Sequence, residues 1–480
     1  MPSKGSTKAR QSRKPVSTAV NAPELESLQQ INLNAAGLDV GASEIYTCVP
    51  QGRDEHSVRV FATFTADLQQ LAAWLTQCNV TSVAMESTGV YWIPIFQILE
   101  AQGFEVILVN AHQVKNVPGR KTDVLDCQWI QQLHTFGLLR ASFRPEDSIC
   151  VLRSFVRQRE MLLHYRSSHI QHIQKALEQM NLKLNNVLSD VTGVTGLRII
   201  RDIIAGVRDP IELAKHRDWR CGKSQAEIAK SLVGDYRVEH VFALQQAVEL
   251  YDCYTEKLQA CDAQIEQHFT RCSSQVDLEE NPLPPPTRRA CSPQKNQPKS
   301  DLRLALYKLV GVDLTQVDGL EVVSVQTILS EIGTDMSKWR TVKQFTSWLG
   351  LCPHNDKTGG KVKRTRTKKT DNRANLAFRL AAATLRHSKS ALGNFYRRMR
   401  TKLGAPKAVV ATAHRLARIV YHMLKYQVPF TAVPPEQEDA QYRQRALRQL
   451  QRKAKQLGAT LVMEPTLNST NPSVEAVCGV

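Results

Sequence analysis

Four acidic residues have the types and the spacing that cutting and joining phosphodiesters would require. Asp39 closes one apolar, strand-like run and Glu86 closes a second, while Asp123 and Asp126 lie three apart in a helix-like stretch. Carboxylates at positions i and i+3 share one face of a helix. Mg²⁺ is held by few carboxylates and keeps room for water and phosphate oxygens. Two such ions stabilise both the attacking and the leaving oxygen, so this set predicts a site for two Mg²⁺ ions.

The competing interpretation of these acids is a surface role, because carboxylates at strand ends are common. Asp39 or Glu86 alone would face solvent more often than it would act in catalysis. Four acids in this order favour a site, and a bound cation would remove the like-charge repulsion that otherwise raises carboxylate pKa values. Arg120 and Lys121, beside Asp123, are candidate phosphate contacts.

The overall charge predicts a polyanionic partner. The chain has 480 residues, a net charge of +18 and a sequence pI near 9.5. Phosphate neutralisation supplies most of the affinity of proteins for nucleic acid. An anionic membrane surface is the alternative, but no apolar run approaches the length of a spanning helix. The basic N-terminal stretch lacks the apolar core of a signal segment, so we expect a cytoplasmic protein without membrane contact.

The 11 cysteines do not suggest a metal site. They are scattered without a C-x-x-C pair, which argues against a zinc ribbon. An odd count without a pairing pattern is typical of reduced thiols, many of them buried as small apolar groups. Cys127 follows Asp126, and a structural role is favoured over metal binding.

The acids fall in a segment, 31–145, whose pattern alternates between strand and helix. This order predicts an α/β domain with a mixed sheet. The expected strands are Asn34–Asp39, Ile45–Val49, Val58–Phe64, Val80–Glu86 and Phe104–Val109, and the expected helices are Ala66–Gln77, Trp92–Gln102 and Asp123–Thr135.

The remaining segments differ in composition. We predict a disordered basic tail at 1–30, a helical region at 146–272, a Pro-rich linker at 273–300, a compact helical domain at 301–428 and a charged tail at 429–480, helical from Ala440 to Gln456. Between helices, 191–197 reads as a small turn. Apolar residues recur every three or four positions between Val238 and Arg271, which predicts a helix-packing stripe. A helical hairpin within one chain and an oligomerising coiled coil would both produce it.

The second informative stretch is basic. Between Lys357 and Lys407 there are 16 Lys or Arg and one acid, Asp371. Thr358 precedes two glycines, which expose it and permit close approach of a backbone. Nearby cations could hold a scissile phosphate. From the residues alone, a basic loop that only grips DNA is favoured over nucleophilic catalysis. The candidate phosphate contacts are Lys361, Lys363, Arg364, Arg366 and Arg373.

Taken together, these stretches resemble a known family. "GLDVG", "ESTGVYW" and "GRKTDVLDCQWI" resemble the DEDD signature of insertion-sequence transposases with an RNase H/RuvC-like N-terminal domain. "GLCPHNDKTGGKV" and "NRANLAFRLAAATLRHSKSALGNFYRRM" resemble the C-terminal, serine-recombinase-like transposase domain of the same family. The family is IS110, and the sequence is most similar to its IS1111-like branch. The likeness covers roughly residues 33–428.

The resemblance implies a fold, an activity and partners. It implies a RuvC-like domain, a helical coiled-coil middle region and a helical C-terminal domain that build a composite active site. The implied enzyme is a bacterial, nucleoid-associated recombinase that cuts and rejoins double-stranded DNA at element ends and target. Acids bind Mg²⁺, and a C-terminal serine forms a covalent 5′-phosphodiester. A structured guide RNA and homodimers that assemble into homotetramers are also implied.

Carried over by position, the four acids are Asp39, Glu86, Asp123 and Asp126, and the serine falls on Thr358. This is a departure from the family pattern, because the β-methyl group of threonine crowds the hydroxyl and restricts χ1. A threonine nucleophile is chemically permitted. Thr365 and Thr367 are alternative hydroxyls.

Two other functions fit the same residues. A RuvC-like structure-specific endonuclease would hydrolyse DNA with water and form no protein–DNA adduct. A catalytically inactive transposase copy would bind nucleic acid without cleaving it, and the threonine at position 358 is compatible with that interpretation.

Overall fold

The structure is a computed structural model that describes residues 29–87, 89–110, 123–286 and 296–462. The chain divides into two compact units, Met1–Arg144 and Pro145–Val480, and each is considered by itself. Arg120 and Lys121 lie outside the described residues, as do the terminal segments 1–28 and 463–480.

The first unit is built on a five-stranded mixed sheet with helices on both faces. Its strands are β1 (Ala35–Val40), β2 (Glu44–Cys48), β3 (Val58–Ala62), β4 (Ser82–Glu86) and β5 (Glu105–Val109), and its helices are α1 (Thr65–Gln77), α2 (Trp92–Ala101) and α3 (Asp123–Thr135). The order across the sheet is β3-β2-β1-β4-β5. Strands β1, β4 and β5 are parallel, and β2 and β3 run antiparallel. The predicted mixed α/β architecture is confirmed, and it is consistent with a RuvC-like fold.

The two faces of the sheet bury different side chains. Leu38, Val83 and Met85 pack with the apolar sides of α1 and α2. Ala84 and Val109 point to the other face, where they meet Ile130 of α3. Because side chains alternate along a strand, the residues flanking Leu38 and Met85 share the α3 face. That face therefore holds Asp39 and Glu86.

Strand β1 is shifted by one residue from its prediction. Asp39 was expected to close the strand, but Val40 pairs with Ile45 and extends it. Asp39 itself lies opposite Tyr46 within the ladder. The sequence did not predict this extension, because an acid followed by one apolar residue and a glycine is a pattern typical of the end of a strand.

The second unit begins with two long antiparallel helices. They are α4 (Asp147–Gln179) and α9 (Val238–Arg271), and they pack against each other within this chain. Between them lie α5 (Leu184–Val187), α6 (Val194–Ile204), α7 (Pro210–Ala214) and α8 (Gln225–Ser231), which share one core with the helix ends. A hairpin within one chain thus accounts for the apolar stripe. The turn predicted at 191–197 is shorter, because α6 begins inside it.

The C-terminal part of the second unit is mostly helical, as predicted. It contains α10 (Leu302–Val310), α11 (Val322–Ile332), α12 (Val342–Trp348), α13 (Arg373–Thr384), α14 (Ala391–Leu403), α15 (Ala405–Tyr426) and α16 (Pro435–Gln456). The basic stretch, expected as a loop, is instead a hairpin of β6 (Pro353–Thr358) and β7 (Lys361–Thr367). Its β-branched residues and its Gly-Gly pair favour that structure. Along the described ranges, we find no helix both long and apolar enough to cross a bilayer.

Candidate active site

Asp39 and Glu86 are neighbours at one edge of the sheet. Leu38 pairs with Met85 in the parallel ladder of β1 and β4, so the next residues along the two strands are Asp39 and Glu86. Neighbouring strands lie about 4.8 Å apart, and paired residues point to the same face. Asp39 is half-buried and Glu86 is 9% exposed. Two carboxylates from distant segments therefore share a small, sheltered region.

Helix α3 brings its first turn to the same edge. Asn32 Nδ2 donates to the His134 carbonyl at 2.7 Å, and Gln131 Nε2 donates to the Ala35 carbonyl at 3.4 Å. The end of α3 thus lies beside the start of β1, and the two elements run antiparallel. One helical turn rises about 5.4 Å, close to the roughly 6.6 Å spanned by two strand residues. The helical turn that precedes Cys127 contains Asp126. This turn therefore lies at the same height along β1 as Asp39.

The close packing of α3 on β1 depends on a glycine. A Cβ atom at Gly37 would collide with the Cys127 carbonyl and the Gln131 amide, and would lie 2.8 Å from Gln131 Cα. Glycine within a strand often marks such an approach of another backbone. The residue lies in the "GLDVG" stretch, yet the pattern alone gave it no role. Glycine at position 37 therefore sets how closely α3, which carries two of the acids, approaches the strand that carries Asp39.

A buried histidine holds the other end of α3. The His134 ring Nε2 is 2.7 Å from Ser82 Oγ at the start of β4, and the side chain is 1% exposed. Burial lowers the pKa of His134 below its usual 6.5, although Glu105 acts in the opposite direction. The neutral imidazole is therefore the form that the fold accommodates.

Acidification is expected to loosen α3 through His134. Because its pKa is lowered in the fold, its contribution to stability is complete above pH 6.5 and is lost as the pH falls toward the folded-state pKa. After correction for the pH dependence of intrinsic amide exchange, the protection of α3 against hydrogen–deuterium exchange should fall more from pH 7.5 to 5.5 in the wild type than in His134→Gln. An equal fall in the two proteins would exclude His134 as the group responsible.

Two cysteines lie beneath the acidic edge. Cys48 of β2 and Cys127 of α3 are buried and form a side-chain hydrogen bond. That hydrogen bond, burial and the nearby Asp39 carboxylate all raise the pKa of Cys127. Both thiols are reduced. The structural role predicted for Cys127 fits this position, because its thiol faces β2 from the inner side of α3.

The donor atoms at this edge suit a hard cation. Asp39, Glu86 and Asp126 offer carboxylate oxygens, the ligands that Mg²⁺ prefers. Among the residues whose side chains the structure describes, no three His, Cys, Asp or Glu groups lie close enough to hold one ion. Asp123 begins α3, but its side chain lies outside the described set. The backbone thus brings the segments that carry the four predicted acids to one edge of the sheet. Their role as metal ligands stays a prediction.

Thr358 occupies the tip of the basic hairpin. It ends β6, pairs with Lys361 and is exposed. Gly359 and Gly360 have φ angles of +55° and +75°, as in the type I′ turns that connect two-residue hairpins. The turn itself therefore favours glycine at both positions. The hydroxyl of Thr358 is presented to solvent at a point where a phosphate backbone could approach.

The other predicted phosphate contacts differ in their surroundings. Lys361, Lys363 and Arg366 are exposed on β7, whereas the side chain of Arg364 lies outside the described set. Arg373 begins α13 and pairs with Glu160 of α4. Arg373 is exposed, and any contact with a phosphate would have to compete with that surface ion pair.

Comparison with known proteins identifies the class and then the family. A transposase model for the DEDD domain of IS110 matches residues 36–182, which include all four acids. A second model, described as the transposase of the IS116/IS110/IS902 family, matches residues 313–397, which include the basic hairpin. Among curated proteins, none matches the chain.

These matches define a transposase, a class of enzymes that process DNA. The chain belongs to the IS110 family of insertion-sequence transposases, as its sequence motifs predicted. DNA is accordingly its substrate, and transposases of the DEDD type use divalent metals.

Proposed function

We propose that this transposase cuts and rejoins DNA strands with four metal-binding acids and a threonine nucleophile. The observation that carries the proposal is the pairing of β1 with β4, which sets Asp39 beside Glu86 at the edge that α3 reaches with its first turn. Carboxylates held close together favour a bound cation, because the cation offsets their mutual repulsion. The family membership supports DNA as the molecule on which this chemistry acts.

The acids would hold two Mg²⁺ ions and position them against the scissile phosphate. When bound, these ions polarise the phosphate and stabilise the leaving 3′-oxygen. Asp39 and Glu86 would bind from the strands, and Asp123 and Asp126 from the helix. Glu86 is 9% exposed and Asp39 is half-buried, which supports a sheltered position for the two strand carboxylates.

Thr358 would supply the attacking oxygen. Its Oγ1 would form a bond to phosphorus and the bond from phosphorus to the 3′-oxygen would break. The threonine hydroxyl proton would pass to water, and the leaving 3′-oxygen would take up a proton from water. The product is a covalent 5′-phosphodiester on the protein and a free 3′-hydroxyl. Lys361, Lys363, Arg364 and Arg366 would hold the DNA backbone near the hairpin. Exposure at the hairpin tip supports this role for Thr358 despite its β-methyl group.

Further partners follow from the family resemblance. We propose that a structured guide RNA from the same element pairs with donor and target DNA, and that homodimers assemble into homotetramers through the helical middle region. A net charge of +18 supports binding to nucleic acid. The predicted domain limits, 31–145, 146–272, 273–300 and 301–428, remain proposals for how the chain divides these tasks.

Covalent trapping tests the chemistry directly. The purified protein and RNA transcribed from the flanking element would be incubated with junction DNA and Mg²⁺, then analysed on a denaturing gel and by peptide mapping. An adduct at Thr358 that is lost in Asp123→Ala supports the proposal. Cleavage without an adduct would indicate a water-attack endonuclease, and binding without cleavage would indicate an inactive copy.

Substitutions at Thr358 should separate hydroxyl chemistry from DNA contact. Thr358→Ser keeps the hydroxyl and removes the crowding methyl group, so we expect adduct formation to be maintained or faster. Thr358→Ala should abolish the adduct and leave DNA affinity within about twofold, because one uncharged side chain adds little to phosphate binding. Thr365→Ala is the matched control on the same hairpin. Adducts that persist in Thr358→Ala and vanish in Thr365→Ala would move the nucleophile to position 365.

A further inference from the structure

Helix α16 lies outside both family matches and has an uneven charge distribution. Its first five residues contain three acids, Glu436, Glu438 and Asp439. From Ala440 to Gln456 it contains six Lys or Arg and no acid. Acids in a first turn and cations in a last turn both complement the helix dipole. The dipole alone does not explain cations in the middle of the helix, so their function must be sought elsewhere.

The acidic start of α16 is fixed to the body of the second unit. Glu438 is 8% exposed, and its Oε1 accepts hydrogen bonds from Arg398 of α14 at 2.9 Å and Arg415 of α15 at 2.6 Å. Asp439 also pairs with Arg398, whose guanidinium lies 4.8 Å from the Tyr442 ring. A sheltered ion-pair cluster of this kind gives the helix a defined starting point and direction.

Beyond this anchor the helix is exposed. Arg445, Arg448, Arg452 and Lys455 follow at spacings of three, four and three, and therefore share one face. Leu447, Leu450 and Ala454 form a separate, narrow apolar stripe, and Leu450 is 52% exposed. Like charges at these spacings repel each other along a helix. A polyanion on the basic face would relieve that repulsion.

We propose that α16 is an arm that binds the backbone of double-stranded DNA through Arg445, Arg448, Arg452 and Lys455. Its 22 residues form a rod of about 33 Å, and an α-helix fits the roughly 12 Å wide major groove of B-DNA. The deep, narrow groove of an RNA duplex does not admit it. A membrane surface would require a broad apolar face, which α16 lacks. This inference concerns binding alone and does not depend on the proposed strand-transfer chemistry.

The test compares two full-length variants with equal loss of charge. One replaces Arg445, Arg448, Arg452 and Lys455 by glutamine, which keeps a high helix propensity. The control replaces four exposed cations of the helical region, Lys175, Lys230, Lys257 and Arg271, by glutamine. Affinity for a labelled 30-base-pair duplex is measured by fluorescence anisotropy in EDTA over a range of salt concentrations, so that no cleavage contributes. Circular dichroism checks that both variants fold.

The two variants should differ in their salt dependence. Each phosphate contact contributes about 0.9 to the slope of log K against log salt, so the α16 variant should lose about 3 to 4 units of slope and bind at least about tenfold more weakly at 0.1 M salt. The control should lose less than one unit. Equal losses in both variants would overturn the proposal, because net charge would then explain the result.

Parallel measurements distinguish other polyanions. A 30-base-pair RNA duplex and vesicles containing phosphatidylglycerol are titrated with the same proteins. The proposal requires that the α16 variant loses more affinity for the DNA duplex than for either of these. A loss confined to RNA or to vesicles would overturn it. Asp39→Asn, which should block catalysis, serves as a reference that retains DNA binding, so failure of the chemistry and failure of the arm give different results.

Discussion

Asp39→Asn and Glu86→Gln are each expected to reduce strand transfer about 10³-fold or more, because a bound cation supplies several kcal/mol of transition-state stabilisation and each 1.4 kcal/mol is tenfold in rate. Either change replaces one carboxylate oxygen by an amide nitrogen and removes a negative charge at the paired ends of β1 and β4. Rates of DNA cleavage in Mg²⁺ measure the effect. Titration with Mn²⁺ should show weaker metal binding in both variants.

Glu55→Gln is the matched control for these substitutions. Glu55 is an exposed carboxylate of the same unit, and its neighbour Arg53 contacts Asn34 at the opposite edge of the sheet. Activity and metal affinity should match the wild type. Should Asp39→Asn retain full Mg²⁺-dependent cleavage while remaining folded, the assignment of the acids would be wrong.

Gly37→Ala is expected to impair both stability and activity although the residue carries no functional group. The added Cβ would push against the backbone at Cys127 and Gln131, and backbone atoms of a packed helix cannot move aside as a flexible side chain can. Overpacking of this kind typically costs about 1–3 kcal/mol. A shift of α3 would also carry Asp126 away from Asp39. We therefore expect strand transfer to fall at least about tenfold, since ångström-scale misplacement of reacting groups can cost about 10² in rate.

The measurements for Gly37→Ala separate position from stability. Urea unfolding gives the stability change, and cleavage assayed well below the unfolding midpoint gives the change in activity of folded protein. Gly222→Ala is the control, because a Cβ there meets no atom within 4 Å. If the Gly37→Ala protein is destabilised but cleaves DNA at the wild-type rate, the distance between α3 and β1 does not matter for the chemistry.

Local patterns in the sequence determined several elements closely. Helices α3 and α9 have the bounds that the sequence predicted. For α9 the reason is a long amphipathic stripe, which specifies a helix through contacts within a few turns. The mixed sheet and the family were also recognisable, the sheet from its short apolar runs and the family from stretches such as "ESTGVYW" and "GLCPHNDKTGGKV". The roles of the four acids and of Thr358 remain predictions that experiments on activity must test.

Other features were decided only by tertiary structure. The register of β1 against β4 joins residues almost fifty positions apart, and no local pattern specifies which residue will lie opposite Asp39. The need for glycine at position 37 arises from the approach of α3, and the direction of α16 arises from the burial of Glu438 between two arginines. In each case the sequence determines which chemical groups are present, whereas their meeting depends on contacts between segments that become neighbours only when the chain packs.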